Sequence, residues 1–395
     1  MQFRTDDFSC RYIVHNENTS GGLASKSLTA GGDLTVYVLP ISGGRFVSQL
    51  AFLCELHDAR TGDPVGPHSL GQANGCVILE PDLVFSTSGG NICAYTAMAG
   101  NWTTGGIMRN IGYLTPSMFC RSWYPGPLSC IPSWTQGLPM YRNGSGTAEI
   151  FRRIFGGHTI MRSEIWTGTY DENRAKSQFF CNRFQQDSLI DADKFSETAF
   201  LYGVLPLKWC NGNSDMLANV SVASASIPMV VPGQNIDGTI YSDGGLTYSS
   251  PLIPFTHELI RLIRDGNRRL RLYYFASYHL ESPHHMSGLG LVKTMLSQFV
   301  HLNTLEDRCA AVNLLYRLVS PGSVRHYSHH HMNTTALAHL LDLLDSKRHY
   351  VLIMYPHPHN DGSVINVPIR TFKPCDAREK IAYVRNHYGV HAWYC

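Results

Sequence analysis

The chain has 395 residues, of which 44% are hydrophobic and 16% are charged, and its formal net charge is +2. This composition is typical of a globular protein with a substantial core, and the nearly balanced charge gives no reason to expect nucleic acid as a partner. No apolar run reaches the roughly 18 residues that a membrane-spanning helix needs.

The first predicted strand is the apolar run from Leu34 to Ile41. It ends in the turn Ser42-Gly43-Gly44-Arg45, and a helix with apolar residues at helical spacing begins at Phe46. A strand, a glycine turn and a helix in this order are typical of the opening unit of a parallel α/β sheet.

A second strand, Leu83–Phe85, leads into a turn at Ser88. The next helix, Asn91–Ala99, consists mainly of small residues that can pack closely on a sheet, and Gly100 is its predicted end. The segment therefore predicts a buried strand that turns sharply into a helix, with a serine at the turn.

The rest of the chain alternates between strand and helix patterns. Residues 163–184 predict a hairpin, and small residues from Val220 to Val231 precede a strand, Thr239–Tyr241, that leads to Asp243. Further strands are predicted at 272–276 and 350–354, and helices at 259–263, 289–318, 334–346 and 376–388.

We divide the chain into a polar arm, residues 1–30, and a single α/β domain, residues 31–395. Residues 101–150 are rich in Trp, Tyr, Pro and Gly, which is typical of a cap or lid over an apolar pocket, although ordinary packing would explain them equally well. Residues 281–395 form a C-terminal extension whose role the sequence leaves open.

The two turns carry the residues from which catalytic chemistry can be built. A serine hydroxyl needs a base and an oxyanion site to act as a nucleophile, and Ser88 lies where a strand meets the N-terminus of a helix. Asp243, in Asp-Gly-Gly directly after a strand, is a candidate base, although such an aspartate often only binds its own turn. Together they predict a serine hydrolase with an aspartate base.

Two features near these residues leave alternatives open. Bare N–H groups in Ser42-Gly43-Gly44-Arg45 can form an oxyanion hole, and Arg45 can hold a phosphate or pair with a surface carboxylate. Gly71-Gln72-Ala73-Asn74-Gly75 has the glycines of a serine elbow with alanine at its centre, but no strand leads into it.

These segments, in chain order, resemble the patatin-like phospholipase family, and the aspartate segment is also similar to the cytosolic phospholipase A2 relatives. Ser42–Arg45 resembles the oxyanion turn with one glycine fewer, and Ser86–Asn91 resembles the serine elbow with serine replacing its first glycine. Ala223–Pro228 resembles the small-residue segment before the aspartate, and Asp243–Leu246 resembles the aspartate motif. The resemblance covers about residues 34–280.

The resemblance implies a three-layer α/β fold with a mostly parallel central sheet flanked by helices. It also implies a lipid acyl hydrolase of phospholipase A or lysophospholipase type, in which Ser88 attacks the ester and Asp243 accepts its proton. The N–H groups of Gly43, Gly44 and Arg45 would hold the oxyanion of an acyl-enzyme reaction. Phospholipid is favoured over neutral glyceride because Arg45 is available, and no metal or other cofactor is required.

Two other functions fit the same residues. The altered elbow and shortened glycine turn are also expected of a catalytically silent relative that binds lipid or serves as a structural interaction module. Acyl transfer to an alcohol acceptor is not separated from hydrolysis by the sequence, and calcium dependence is left open.

The histidines suggest a metal site, but no H-E-x-x-H helix or Cys/His spacing supports it, and consecutive histidines cannot all face one ion. We therefore predict a solvated loop for this part of the sequence. The histidines concerned are His326, His329, His330 and His331, together with His284, His285, His357 and His359.

The compartment is inferred from the cysteines and the N-terminus. The eleven cysteines include no CxxC pair, which argues against a disulfide framework, and the polar, acidic first residues are not a secretory signal. We expect a cytoplasmic protein with reduced thiols that contacts membrane surfaces transiently through its lipid substrate. The oligomeric state is not indicated.

Overall fold

A computed structural model describes residues 31–61, 80–114, 145–155, 163–227, 231–278, 290–357 and 373–395. Its strands are β1 (Asp33–Leu39), β2 (Leu83–Thr87), β3 (Glu164–Asp171), β4 (Lys176–Cys181), β5 (Lys208–Trp209), β6 (Gln234–Ile236), β7 (Thr239–Asp243), β8 (Arg269–Phe275), β9 (Arg325–Met332), β10 (Tyr350–Pro356) and β11 (Tyr388–Tyr394).

The helices in the described residues are α1 (Phe46–Thr61), α2 (Gly89–Ala99), α3 (Thr104–Asn110), α4 (Ser145–Phe155), α5 (Ala192–Ala199), α6 (Ser214–Ser224), α7 (Leu252–Asp265), α8 (Gly290–Leu318), α9 (Thr334–Asp345) and α10 (Pro374–Arg385).

All of these strands belong to one sheet, in the order β5-β4-β3-β2-β1-β8-β10-β11-β9, with the β6–β7 hairpin joined to β3. The five strands from β3 to β10 are parallel to one another, whereas β4 and β11 pair antiparallel with their inner neighbours. The centre of the sheet is built from near-continuous apolar runs because helices cover both of its faces.

The helices form a layer on each face of the sheet. One apolar cluster joins the sheet to α1, α2, α3, α4, α6, α9 and α10. A second cluster joins its other face to α5, α7 and α8. The fold is therefore a three-layer α/β fold with a mixed, mostly parallel central sheet, as the sequence predicted.

An aromatic cluster fixes α7, the helix that follows the Asp243 turn. The ring of Phe255 lies 4.5 Å from that of Phe195, 5.0 Å from that of Trp166, 5.2 Å from that of Phe85 and 5.4 Å from that of Phe179, between centroids. Each such pair contributes about 0.5–1.5 kcal/mol beyond the area it buries. The start of α7 is thus held firmly against the sheet.

The predicted strands and helices of the first 280 residues are confirmed where the structure describes them, including the hairpin, which is β3 and β4. Gly71–Gly75 and residues 115–144 lie outside the described residues. Trp102, at the start of the segment interpreted as a lid, is buried and packs edge-on against Tyr37 at 5.4 Å. The lid interpretation stays a prediction.

The predicted loop at the histidines was wrong, because residues 325–332 form strand β9 at the edge of the sheet. Its polar sequence has no alternation that would predict a strand, and the strand forms through its backbone pairing with β11. His326, His329, His330 and His331 are nevertheless exposed. The last helix ends at Arg385, and strand β11, which was not predicted, begins at Tyr388.

The described residues contain no group of three or more His, Cys, Asp or Glu side chains placed to hold a metal ion. His284, His285 and His359 lie outside the described residues. Within the described ranges, no helix has the length and apolar character required to cross a membrane.

Candidate active site

Strand β3 brings Ser88 and Asp243 together. The end of β2, at Thr87, pairs with Gly168 of β3, and Asp243 of β7 pairs with the next residue, Thr169. β2 runs parallel to β3, and β7 runs antiparallel to it. The carboxyl ends of β2 and β7 therefore meet beside β3. The residue that follows β2 therefore lies beside the last residue of β7.

Ser88 lies in a sharp turn between β2 and α2. Its backbone angles are φ 55° and ψ −126°, a conformation that is strained for a residue with a side chain. A Cβ on Gly89 would lie 2.9 Å from the Gly43 nitrogen, and one on Gly90 would overlap the Leu39 carbonyl. The two glycines are thus required by the close approach of the β1 end to the start of α2.

The side chains of Ser88 and Asp243 form a direct hydrogen bond. The Ser88 hydroxyl donates to Asp243 Oδ2 at 2.8 Å, and the Gly245 N–H donates to Asp243 Oδ1 at 2.8 Å. Each of the two residues is only 2% exposed. The carboxylate therefore has a fixed orientation, with one oxygen toward the serine.

Burial dominates the electrostatics of Asp243. It raises the pKa of this carboxyl from 3.8 to about 7, while the hydrogen bonds from Gly245 and Ser88 lower it. A carboxylate with a pKa near neutral is a stronger proton acceptor than a solvated one. It is suited to take a proton from an adjacent hydroxyl.

Ser224, at the end of α6, holds the backbone of the turn. Its hydroxyl accepts from the Ser88 N–H at 2.9 Å and donates to the Gly168 carbonyl at 2.7 Å. In the sequence, Ser224 is recognisable only as part of a small-residue segment. The role depends on three chain segments that meet only in the fold, so no local signal could have revealed it.

A second polar contact ties the elbow to the neighbouring strand. The amide oxygen of Asn91, in the first turn of α2, accepts from Ser86 at 3.1 Å and from Thr167 at 3.0 Å. All three side chains are fully buried. Ser86, which replaces the glycine expected two residues before Ser88, is thus accommodated as a hydrogen-bond donor.

The glycine turn after β1 lies against the N-terminus of α2. Gly43 has φ +51°, a left-handed conformation that favours glycine, and its backbone contacts Gly89. The N–H of Arg45 donates to the Ser42 carbonyl at 3.0 Å, which leaves Gly43 and Gly44 as the better candidates for oxyanion donors. The Arg45 guanidinium lies 4.3 Å from the centre of the Tyr278 ring.

The described geometry therefore brings a serine hydroxyl, a buried carboxylate and a glycine turn to one end of the parallel strands. A hydroxyl of this kind can act as a nucleophile when its proton passes to the carboxylate and backbone N–H groups stabilise the resulting oxyanion.

The chain matches a model of a known protein family. The model described as patatin-like phospholipase matches residues 42–256, more than half of the chain, and the match includes both Ser88 and Asp243. The search among curated proteins found no match. The chain belongs to the patatin-like phospholipase family of lipid acyl hydrolases.

Proposed function

We propose that this protein cleaves lipid acyl esters as a phospholipase A or lysophospholipase, with Ser88 as the nucleophile and Asp243 as its base. The observation that carries the proposal is the 2.8 Å hydrogen bond between these two side chains at a strained strand-to-helix turn. Strain at a buried polar site is kept where function requires it.

In the acylation step, Ser88 Oγ attacks the ester carbonyl carbon while its proton passes to Asp243 Oδ2. The N–H groups of Gly43 and Gly44 stabilise the negative oxygen of the tetrahedral intermediate. When the intermediate collapses, the carbon–oxygen bond to the alcohol breaks, and the leaving oxygen takes the proton from Asp243. The products of this step are the free alcohol and an acyl-enzyme.

In the deacylation step, a water molecule attacks the acyl carbonyl and gives its proton to Asp243. The second tetrahedral intermediate collapses with release of the fatty acid, and Ser88 Oγ recovers the proton. Attack by an alcohol in place of water would transfer the acyl group to that alcohol.

The substrate proposal rests on Arg45. A guanidinium beside the glycine turn suits a phosphate, and the contact with Tyr278 restricts where the guanidinium lies. We therefore favour phospholipid over neutral glyceride. Since phospholipids reside in bilayers, the proposal includes transient contact of a cytoplasmic protein with a membrane surface.

The test is release of fatty acid from vesicles of phosphatidylcholine and phosphatidylserine, with trioleoylglycerol emulsion as the neutral comparison. We expect Ser88→Ala and Asp243→Ala each to lower the rate by at least about 10³-fold with the fold intact. Ser221→Ala is a matched control, because this buried α6 hydroxyl donates to the Leu217 carbonyl of its own helix.

The outcomes separate the alternatives. A wild-type chain that binds the vesicles without releasing fatty acid would favour the silent binding module. Esters formed when glycerol is added would favour acyl transfer. Activity that survives Ser88→Ala would show that another residue is the nucleophile.

A further inference from the structure

A second buried serine–aspartate pair lies where α8 contacts the segment between Asp243 and α7. The Ser250 hydroxyl donates to Asp307 Oδ1 at 2.7 Å, and both residues are fully buried. One turn earlier on α8, the Asn303 carbonyl accepts from the Ser249 hydroxyl at 3.1 Å. Helix α8 thus accepts hydrogen bonds from two neighbouring serines. This helix lies beyond the residues that match the family.

These serines are connected to both turns of the candidate site. Ser249 lies three residues after the turn Gly244–Leu246, and its carbonyl accepts from the Ile41 N–H at 2.8 Å. Ile41 directly precedes the glycine turn. Its side chain lies so close to Gly245 that a Cβ on Gly245 would overlap the Ile41 side chain. The segment therefore follows the aspartate turn in the chain and is hydrogen-bonded to the residue that leads into the glycine turn.

Asp307 is a buried carboxyl that the proposed reaction steps do not use. Burial raises its pKa to about 7, whereas the hydrogen bond from Ser250 and the Arg308 guanidinium lower it. Arg308 is itself buried and donates to the Thr304 carbonyl at 3.2 Å. Burying a carboxylate is costly, so its place opposite Ser250 calls for an explanation.

We propose that Asp307 is a positioning residue for the ester hydrolysis, which it supports by holding Ser250 and thereby the segment that aligns Asp243 with the Gly43–Gly44 turn. The inference rests on the proposed function, and it gives α8 a role in the reaction. Small displacements of catalytic groups lower turnover more than substrate binding, because alignment matters most in the transition state.

The experiment compares Asp307→Ala, Asp307→Asn and Ser250→Ala in the full chain. With 4-nitrophenyl butyrate as the probe, we expect Asp307→Ala and Ser250→Ala to lower kcat by about 10-fold to 100-fold with KM changed less than about 2-fold. Asp307→Asn keeps an oxygen that can accept from Ser250, so we expect it to retain kcat within about 3-fold.

The control variant removes a carboxylate that forms an ion pair away from the candidate site. Asp345, at the end of α9, binds Arg60 near the opposite ends of the parallel strands. Asp345→Ala is expected to lower the thermal midpoint without lowering kcat in the folded protein. If it lowers kcat as much as Asp307→Ala does, or if Asp307→Ala leaves kcat unchanged, the positioning role is wrong.

Hydrogen exchange separates this inference from the proposed function. We expect Asp307→Ala, but not Asp345→Ala, to increase exchange in residues 40–47 and 243–252 together. Unchanged exchange in both segments overturns the inference even if the wild type is active. A wild-type chain that neither hydrolyses the ester nor reacts with a fluorophosphonate probe overturns the proposed function and, with it, the role of Asp307 in turnover.

Discussion

At the scale of single residues, Asp243 combines two opposing requirements. The carboxyl must be deprotonated to act as a base, but burial favours its neutral, protonated form. Its pKa of about 7, raised by burial from 3.8, places the transition close to neutral pH. Under the proposed mechanism, kcat/KM should therefore rise with pH through about 7 and then level off, as a pH–rate profile on 4-nitrophenyl butyrate would show.

The same shift predicts that Asp243→Asn stabilises the protein at alkaline pH. Between the unfolded pKa of 3.8 and the folded pKa of about 7, the folded state binds the proton more tightly, so wild-type stability falls as pH rises through this window. Asparagine removes that loss. We expect the gain in unfolding free energy to be about 3 kcal/mol larger at pH 8 than at pH 5, measured by urea titration.

Asp307 does not disturb this comparison, although its pKa is also raised to about 7, because the wild type and Asp243→Asn both contain it. Its contribution to the pH dependence therefore cancels in the difference. An Asp243→Asn gain that is the same at pH 5 and pH 8 would mean that Asp243 does not titrate in this window.

At the scale of elements, the candidate site depends on how closely the end of β1 approaches the start of α2. A Cβ on Gly89 would overlap the Ser42 hydroxyl and lie 2.8 Å from the Gly43 carbonyl oxygen. Two turns from different strands are thus packed backbone to backbone. A side chain at this position has to push the glycine turn away from the elbow.

We therefore expect Gly89→Ala to lower kcat by about 10²-fold or more and to destabilise the fold by about 1–3 kcal/mol. Gly105→Ala is the matched control, since Gly105 lies in α3 and a Cβ there meets no atom within 4 Å. That variant should keep full activity and gain up to about 1 kcal/mol. Equal activity of the two variants, measured by ester hydrolysis beside thermal unfolding, would contradict the close approach.

At the scale of the whole molecule, elements beyond residue 280 are integrated into the same sheet and helix layers. Arg385 of α10 donates to Glu55 of α1 and, at 2.6 Å, to Asp58. The Glu55 side chain, 2% exposed, also accepts from Thr334 at 2.8 Å and from Tyr388 at 3.1 Å. A single carboxylate thus joins α1 to α9, α10 and β11.

Arg385→Met should destabilise the protein by about 3 kcal/mol, because it leaves a buried carboxylate without its cation. Arg378→Met, on the exposed face of the same helix, should change stability by less than about 0.5 kcal/mol. Urea unfolding measures both. Adding Glu55→Gln to Arg385→Met should recover part of the loss, and no recovery would show that the charge of Glu55 is not the cause.

Much of the central sheet could be predicted from local patterns. The runs that became β1, β2, β8 and β10 are apolar over most of their length, since strands buried on both faces leave little room for polar residues. β9 and β11 were not predicted in this way. The sequence of β9 is polar, and its extended form depends on pairing with a distant strand.

The sequence by itself determined the α/β class, the positions of the main strands along the chain and the pair of motifs around Ser88 and Asp243, because periodicity and turn chemistry are local. Only the tertiary structure decided that β2 and β7 end side by side on β3, that Ser224 holds the Ser88 N–H, and that α8 binds Ser249 and Ser250. Each of these contacts joins segments far apart in the chain, and such contacts form only when the whole sheet assembles.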